Sequence, residues 1–276
     1  MNLVIQGAPL TPDALGELVA IVQANHVVTL GGSAYRLTGA TEVPGVEPWC
    51  AQRQLDFAWV PDDRRLGDVR LVAMDMDSTL VTIESIDEMG GMLGIKESIA
   101  AITAQAMHGA IDYPESLRRR VALLAGLEEQ ALERICEERM MLSPGAEALV
   151  LRCRNQGIRT LLVSGGFNFF TAWLRQRLGI DDTLSNVLEI RDGRLTGRVL
   201  GGIVDGAAKA QKLRAEIARL GIDARQAVAI GDGANDIPMM SVAGVSVAYR
   251  AKPLVREHAT HALDHAQLDG VLNLFL

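Results

Sequence analysis

Three apolar segments of the chain share a pattern: each looks like a buried strand and then stops abruptly at small and polar residues. The segments are LVAMDMDST from Leu71, RTLLVSGGF from Arg159 and AVAIGDGAND from Ala227. A carboxylate without a partner is costly to bury, so acids at the end of a core strand need a physical reason. In an open parallel sheet, ligands bind beyond the carboxyl ends of the strands. The pattern therefore predicts one site at the edge of one sheet.

The order of elements around these segments favours an α/β fold. From residue 145 onwards, apolar strands alternate with amphipathic helices, which is typical of a doubly wound (Rossmann-like) parallel sheet. Residues 85–140 carry four helical patterns with no strand between them, so we expect an inserted helical cap. An Asp-Gly pair at Asp192 predicts a hairpin between two further strands. The expected core is then residues 69–84 and 141–276.

The first 68 residues predict a separate small α/β unit. NLVIQ reads as a strand, and a helix is expected after Thr11, with Pro12 at the first helical position. HVVTLGGSAYRLTG predicts strand, turn and strand, and WCAQRQLDFAWVP predicts a further strand. The polar segment PDDRRLGD has the composition of a linker.

Composition limits the classes of function. The 276 residues are 49% hydrophobic with a net charge of −7, so no basic field is available for nucleic acid or an anionic membrane. The three cysteines, Cys50, Cys136 and Cys153, form no CxxC pair, which favours a reducing cytoplasm. The N-terminus lacks the pattern of a signal peptide, and no apolar run approaches the ~20 residues of a membrane span. We expect a soluble cytoplasmic protein.

The residues at the three strand ends suit phosphate chemistry. They are Asp75, Asp77, Ser78, Ser164, Gly165, Gly166, Asp232, Asn235 and Asp236. Clustered carboxylates favour a hard cation such as Mg²⁺, and a Ser-Gly-Gly loop at a helix start can cradle phosphate oxygens. Lys209 would add a fixed positive charge. With these groups, Asp75 can attack phosphorus, and Asp77 can act as general acid and base.

The motifs resemble those of a known superfamily. DMDSTL, SGG, Lys209 and GDGANDIPM are similar to the four signatures of the haloacid dehalogenase (HAD) superfamily of aspartate-nucleophile phosphatases. More narrowly, DMDSTLVTIESIDEMG, LVSGGFNFF and GAIDYPESLRRRV resemble the phosphoserine phosphatase family, from about residue 70 to the end. The resemblance implies Mg²⁺-dependent hydrolysis of O-phospho-L-serine through an aspartyl phosphate, the last step of serine biosynthesis.

The resemblance also implies a role for each matching residue. Asp75 would be the nucleophile and Asp77 the general acid/base. Mg²⁺ would be held by the Asp75 carboxylate, the Asp77 main-chain carbonyl and the Asp232 carboxylate, with Asp236 in support. The phosphoryl group would be bound by Ser164, Gly165, Lys209 and Asn235.

For the amino-acid part of the substrate, the resemblance points to four residues. Glu84 would bind the α-ammonium and Arg120 the α-carboxylate, which suits their charges. Met107 and Tyr113 would form an apolar wall; the family usually has Phe at the second of these positions. The N-terminal unit has the strand–helix–strand order of an ACT-like module that bacterial members often carry, although it is short for one. A homodimer is the default expectation for the assembly.

Several alternatives stay open at the level of sequence. Lys212 competes with Lys209, although it reads as a solvated helix charge, and Arg118 and Arg119 compete with Arg120. Three histidines would share a face if their segment were helical, which would allow a zinc site; they are His258, His261 and His265.

Two alternative functions also stay open. One is a HAD phosphatase or phosphotransferase for another small phosphomonoester, such as phosphohomoserine. The other is a non-enzymatic phospho-accepting regulatory domain, which would need neither the acid at Asp77 nor a large cap.

Overall fold

The computed structural model describes all 276 residues and contains a four-stranded and a seven-stranded β-sheet. The N-terminal elements are β1 (Asn2–Gln6), α1 (Pro12–Val22), β2 (His26–Gly31), β3 (Ala34–Thr38), α2 (Val46–Ala51) and β4 (Asp56–Val60). Their antiparallel sheet has the strand order β2-β3-β1-β4. This βαββαβ succession is the split arrangement of ferredoxin-like units.

Capping residues explain where helix α1 begins, whereas the sequence pattern did not predict helix α2. Thr11 caps α1 by accepting the Ala14 N–H at 3.2 Å, with Pro12 at the first position as expected. The prediction of a strand through Trp49 and Cys50 is wrong, because both residues lie in α2 and pack into the core of this unit. A helix of six residues is too short to display a 3.6-residue hydrophobic period.

The first core strand leads directly into a helical segment. Its elements are β5 (Leu71–Met74), α3 (Ser85–Met92), α4 (Lys96–Met107), α5 (Tyr113–Ala122) and α6 (Glu129–Arg134). A single wide helical turn, Met76–Leu80, connects β5 to this segment, and a second such turn, Ile135–Arg139, continues α6. These four helices, called the cap below, lie in the segment where a helical cap was predicted.

The rest of the chain alternates between strands and helices as expected. The elements are α7 (Ala146–Asn155), β6 (Arg159–Phe167), α8 (Asn168–Leu178), β7 (Asp182–Arg191), β8 (Arg194–Leu200), α9 (Gly206–Leu220), β9 (Ala227–Gly231), α10 (Ile237–Met240), β10 (Val245–Tyr249), α11 (Pro253–His258) and β11 (His261–Leu263). Asp192 and Gly193 both have positive φ, at 51° and 70°, which is the type I′ geometry of a two-residue hairpin.

The seven strands lie in the order β11-β10-β9-β5-β6-β7-β8, and all pairs are parallel except the β7–β8 hairpin. Both faces of the sheet are covered. Val72 and Met74 of β5 pack into one hydrophobic cluster, and Leu71 and Ala73 into the cluster on the opposite face. The predicted α/β fold with a doubly wound parallel sheet is confirmed.

The zinc hypothesis for the C-terminal histidines is wrong. His258 ends helix α11, His261 begins strand β11 and His265 follows that strand, so the three side chains share no helix face. Among the helices, none combines the length and the hydrophobicity needed to cross a membrane.

Candidate active site

The site lies where three neighbouring strands end. β5 is paired with β6 on one side and β9 on the other, and Met74 is aligned with both Leu162 and Ile230. Each of these strands then continues into one of the predicted motifs. The topology therefore brings Asp75, Ser164 and Asp232 to one edge of the sheet, although 157 residues separate the first from the last (232 − 75).

The turn after β5 determines where the acids point. Asp77 has extended backbone angles and Ser78 has a φ of 56°, so Met76–Leu80 departs from a regular helix. The Ser78 hydroxyl donates to the Glu84 carboxylate at 2.8 Å. The Asp77 carboxylate accepts the Ser85 N–H at 2.8 Å and the Ser85 hydroxyl at 3.2 Å. These bonds hold Asp77 and Glu84 in defined positions beside Asp75.

A buried lysine links two of the carboxylates. Lys209 Nζ lies 2.6 Å from Asp75 Oδ1 and 2.7 Å from Asp236 Oδ1, and its side chain has no solvent exposure. Burial alone would lower the pKa of Lys209, but the carboxylates of Asp236 and Asp75 raise it, so the ammonium stays charged. Its helix, α9, is capped by Asp205, which accepts the Ala208 N–H at 2.8 Å. The lysine is therefore a fixed positive charge beneath Asp75.

The acidic residues fit a divalent cation. Carboxylate oxygens of Asp75, Asp232 and Asp236 all lie within 4.8 Å of one another. Lys209 supplies one positive charge to three carboxylates, and the remaining negative charge matches a divalent ion with a preference for oxygen ligands. Burial and the neighbouring Asp236 carboxylate raise the pKa of Asp232 to about 6 and raise that of Asp75 as well. Both shifts reflect the cost of burying a carboxylate and then placing a second carboxylate beside it.

Hydrogen bonds orient two of these carboxylates. The Thr79 hydroxyl donates to Asp232 Oδ1 at 3.0 Å, and the Gly233 N–H donates to Asp236 Oδ2 at 3.0 Å. Such bonds fix the direction of candidate metal ligands before an ion binds.

The predicted Ser-Gly-Gly loop is an irregular stretch within β6, where the pairing with β7 shifts between Val163 and Phe167, and it requires its glycines. A Cβ at Gly165 would lie 2.4 Å from the Tyr113 hydroxyl, and one at Gly166 would lie 2.8 Å from Asp77 Oδ2. The Gly166 N–H donates to the Ser164 hydroxyl oxygen at 2.8 Å. Gly165 and Gly166 can therefore approach the cap and the acids closely only because they lack side chains.

A cavity of about 440 Å³ lies between the cap and the strand ends. Its lining includes nine of the twelve predicted site residues: Asp75, Asp77, Glu84, Met107, Tyr113, Arg120, Gly165, Asp232 and Asn235. The other three, Ser164, Lys209 and Asp236, are almost fully buried. The structure thus brings all twelve to one region, with Met107 at the rim and 71% exposed.

The structure separates the competing basic residues. Arg120 lines the cavity, whereas Arg118 and Arg119 are exposed and Arg119 pairs with Glu115 at 2.7 Å. Lys212 lies outside the cavity lining. The expectation of a solvated charge at Lys212 is wrong, because its side chain is only 22% exposed and pairs with Asp182 at 2.6 Å and Glu216 at 2.9 Å.

The acids that face the cavity have perturbed pKa values. Burial and the nearby Glu84 carboxylate raise the pKa of Asp77 to about 7, although the bonds from Ser85 oppose this. An acid with such a pKa can donate a proton near neutral pH. Glu84 is accessible from the cavity, yet enough protein surrounds it that burial raises its pKa.

Four further residues were missed by the sequence reasoning. Thr79 and Ser85 orient Asp232 and Asp77. Lys252 lines the cavity, and its charge acts to lower the pKa of Glu84. Asn186 of β7 donates to the Gly165 carbonyl at 2.8 Å. Thr79 and Ser85 lie within the quoted motif DMDSTLVTIESIDEMG, where they were given no role, but no local pattern marks Asn186 or Lys252.

Comparison with known proteins agrees with this site. Residues 72–241 match the model of the haloacid dehalogenase-like hydrolase family, which covers more than half of the chain. The chain belongs to the haloacid dehalogenase-like hydrolases.

Similar proteins narrow the classification. A phosphoserine phosphatase from Polaromonas is 52% identical over 217 residues, which are 77% of this chain and 92% of that protein. The crystal structure of a HAD family hydrolase from Salmonella enterica matches with a TM-score of 0.89 and 32% identity, covering 99% of this chain and 97% of the other. A probable phosphoserine phosphatase from Vibrio cholerae matches with a TM-score of 0.88 and 34% identity, covering 99% and 85%. The resemblance to the phosphoserine phosphatase family is confirmed.

Proposed function

We propose that this enzyme is a phosphoric monoester hydrolase that converts O-phospho-L-serine to L-serine and inorganic phosphate, the last step of serine biosynthesis. One observation carries the proposal: the cavity that exposes Asp75 also exposes Glu84 and Arg120. A carboxylate nucleophile and a pair of opposite charges for an amino-acid zwitterion thus face the same small volume. The similarity to phosphoserine phosphatases supports the same substrate.

The reaction proceeds in two displacement steps at Asp75. Its carboxylate oxygen forms a bond to phosphorus while the bond from phosphorus to the serine oxygen breaks, and Asp77 donates its proton to that oxygen. Asp77 then accepts a proton from water as the water oxygen bonds to phosphorus and the aspartyl phosphate breaks. The raised pKa of Asp77, at about 7, suits a group that must both give and take a proton.

The phosphoryl group is held by neutral donors and one cation. Ser164, Gly165 and Asn235 surround its oxygens, and Lys209 contributes charge from beneath Asp75. We assign the cation site to Mg²⁺, bound by the Asp75 and Asp232 carboxylates and the Asp77 main-chain carbonyl, with Asp236 in support. Mg²⁺ would neutralise charge on the phosphoryl oxygens.

The serine part of the substrate is recognised by charge and shape. Arg120 binds the α-carboxylate through its planar guanidinium, and Glu84 binds the α-ammonium. Met107 and Tyr113 of the cap close the apolar side of the pocket. Of these four residues, three belong to the helical cap, so we expect that substrate binding requires the cap to cover the sheet edge.

The N-terminal unit and the cellular setting belong to the same proposal. The βαββαβ order supports an ACT-like assignment of residues 1–68. A net charge of −7 supports a small-molecule substrate over nucleic acid or a membrane surface. A cytoplasmic enzyme that assembles as a homodimer is the expected form.

The test is phosphate release from a panel of phosphomonoesters. We expect rapid release from O-phospho-L-serine with Mg²⁺, loss of activity after chelation by EDTA, and recovery when Mg²⁺ is restored. Faster turnover of phosphohomoserine would instead identify the other phosphomonoester as the substrate. A regulatory domain would release no more than one equivalent of phosphate per chain, and that result would refute the proposal.

A further inference from the structure

The Gly165 carbonyl is held from two directions. Asn186 Nδ2 donates to it at 2.8 Å from strand β7, and the Tyr113 hydroxyl donates to it at 3.1 Å from the cap. Asn186 is 1% exposed and lies opposite Phe167 in the β6–β7 pairing. A half-buried carbonyl that accepts hydrogen bonds from two side chains is well fixed in direction.

The direction of this carbonyl determines the direction of the next N–H. The Gly165 carbonyl and the Gly166 N–H belong to the same planar trans peptide group, so they point to opposite sides. On that opposite side, the Gly166 N–H donates to Ser164 Oγ at 2.8 Å. Because the oxygen of the hydroxyl accepts this bond, its proton remains free to be donated elsewhere. The proposed acceptor of this proton is a phosphoryl oxygen of the substrate.

Asn186 is itself fixed by a second bond. Its Oδ1 accepts the Val204 N–H at 2.8 Å. A reversed amide would place its NH₂ group against the Val204 N–H and its oxygen against the Gly165 carbonyl, so neither bond could form. Val204 precedes Asp205, which caps helix α9, and that helix carries Lys209. One buried amide thus connects the Ser-Gly-Gly loop to the start of the helix that provides the fixed positive charge.

We infer that Asn186 is a positioning residue for phosphoryl transfer, which acts through the Gly165–Gly166 peptide to aim the Ser164 hydroxyl. The Tyr113 hydroxyl, which belongs to the cap, donates a second hydrogen bond to the same peptide. The phosphate-binding loop is therefore fully oriented only when the cap covers the site. This role for the tyrosine hydroxyl is additional to the apolar wall that its ring provides. The inference rests on the proposed phosphatase function.

The test is a double-mutant cycle with Ser164. We expect Asn186→Ala to lower kcat/KM for phosphoserine by about 10- to 100-fold, the range seen when a residue that orients a functional group from behind is lost. In a Ser164→Ala background, Asn186→Ala should lower kcat/KM by less than about 2-fold, because the hydroxyl that Asn186 orients is absent. The inhibition constant of inorganic phosphate gives a second readout that needs no turnover, and it should follow the same non-additive pattern.

Two further variants make the test decisive. Tyr113→Phe removes only a hydroxyl, keeps the ring packing and should lower kcat/KM by about 3- to 10-fold, again only when Ser164 is present. Asn168→Ala is the matched control, since the Asn168 side chain also bonds to strand β7, by accepting the Leu188 N–H at 3.3 Å, but makes no hydrogen bond to the Ser-Gly-Gly loop; the activity of this variant should match wild type.

The outcomes separate this inference from the proposed function. Equal losses from Asn186→Ala in both backgrounds, or no loss in a folded variant, would overturn the inference while the enzyme remains a phosphatase. If Asn186→Ala does not fold, as judged by its thermal unfolding, additivity of Tyr113→Phe and Ser164→Ala overturns it instead. An inactive wild-type protein would refute the proposed function itself.

Discussion

Lys209 shows at the level of single residues why charges are retained inside this protein. Its ammonium is fully buried and contacts two carboxylates, Asp75 and Asp236. A buried ion pair of this kind is weak evidence for stability, because removing ions from water costs about as much as their attraction returns. The arrangement is better explained by the site, where the Lys209 ammonium acts to lower a pKa of Asp75 that burial and Asp236 raise, and so favours the ionised carboxylate.

The nucleophile provides the first prediction. We expect Asp75→Asn to reduce kcat by at least about 10³-fold, because the amide cannot form the covalent intermediate. Rapid quenching with labelled phosphoserine should find protein-bound phosphate in the wild type and none in the variant. The matched variant is Asp87→Asn, a cavity acid from the cap that has no assigned role in the chemistry; it should still form the phosphoenzyme.

The second prediction concerns substrate selectivity. Glu84→Gln and Arg120→Met should each raise KM for phosphoserine by about 10- to 100-fold, since each removes a charge that pairs with the substrate. KM for p-nitrophenyl phosphate, which lacks both the ammonium and the carboxylate, should change less than about 3-fold. The exposed neighbour Arg118→Met serves as control. Equal effects on the two substrates would indicate a different natural substrate.

Among the elements, strand β11 shows how a short edge strand can carry a pH-dependent contact. His261 begins the strand and accepts a hydrogen bond at Nε2 from Arg64 Nη1, at 2.6 Å. Arg64 belongs to the segment that links the two sheets, so this bond joins the linker to the edge of the core. Burial and the neighbouring Arg64 guanidinium lower the pKa of His261 to about 4, because both disfavour a positive charge on the ring.

The third prediction follows from this shift. The folded state keeps His261 neutral down to about pH 4, whereas the unfolded chain binds its proton below the ordinary pKa of 6.5. The stabilisation is therefore present above pH 6.5 and is lost as the pH falls through 4. Its size is about 3 kcal/mol, from 2.5 pKa units at 1.36 kcal/mol each.

Urea unfolding at a series of pH values tests this account. The fall in the free energy of unfolding between pH 7 and pH 4 should be about 2–3 kcal/mol smaller for His261→Gln than for the wild type. His26→Gln, at an exposed histidine on β2, should keep the wild-type slope. Identical slopes for His261→Gln and wild type would contradict the predicted linkage.

For the whole molecule, the important contact is the one between the N-terminal unit and the core. Asp56 of β4 accepts the N–H groups of Asp264, His265 and Ala266, at 2.9, 3.0 and 2.7 Å. Arg36 donates to the carbonyls of Asn273 and Phe275 near the C-terminus. Such a contact fixes the unit against the core and does not leave it on a flexible tether.

The fourth prediction measures this contact. Asp56→Ala leaves three backbone N–H groups without an acceptor and should lower the free energy of unfolding by about 2–4 kcal/mol. Asp62→Ala, at an aspartate that is 68% exposed and pairs with the N-terminal amine, should change it by less than about 0.5 kcal/mol. Since Asp56 lies outside the active-site cavity, kcat at 25 °C should be unchanged in folded Asp56→Ala. A large loss of kcat would show that the N-terminal unit takes part in catalysis.

Patterns within short windows predicted most of the core. Strand and helix periods, the Asp192-Gly193 turn and the polar ends of three strands are local properties, and the structure has these elements where the patterns indicated. The weakest prediction was the one where a window was too short to show a period, as in helix α2, and the sequence left open whether His258 to His265 form a helix, which they do not.

By itself, the sequence determined which residues could carry the chemistry, because each motif is a short local pattern: the nucleophile and its partner acid are two positions apart, and the Ser-Gly-Gly loop is three consecutive residues. Only the tertiary structure decided which distant groups orient them. Asn186 lies 21 residues from the carbonyl it holds, and Asp56 lies about 210 residues from the N–H groups it accepts. The physical reason is that a hydrogen bond depends on the register of strands and the packing of helices, and neither is expressed in the residues on either side of the donor.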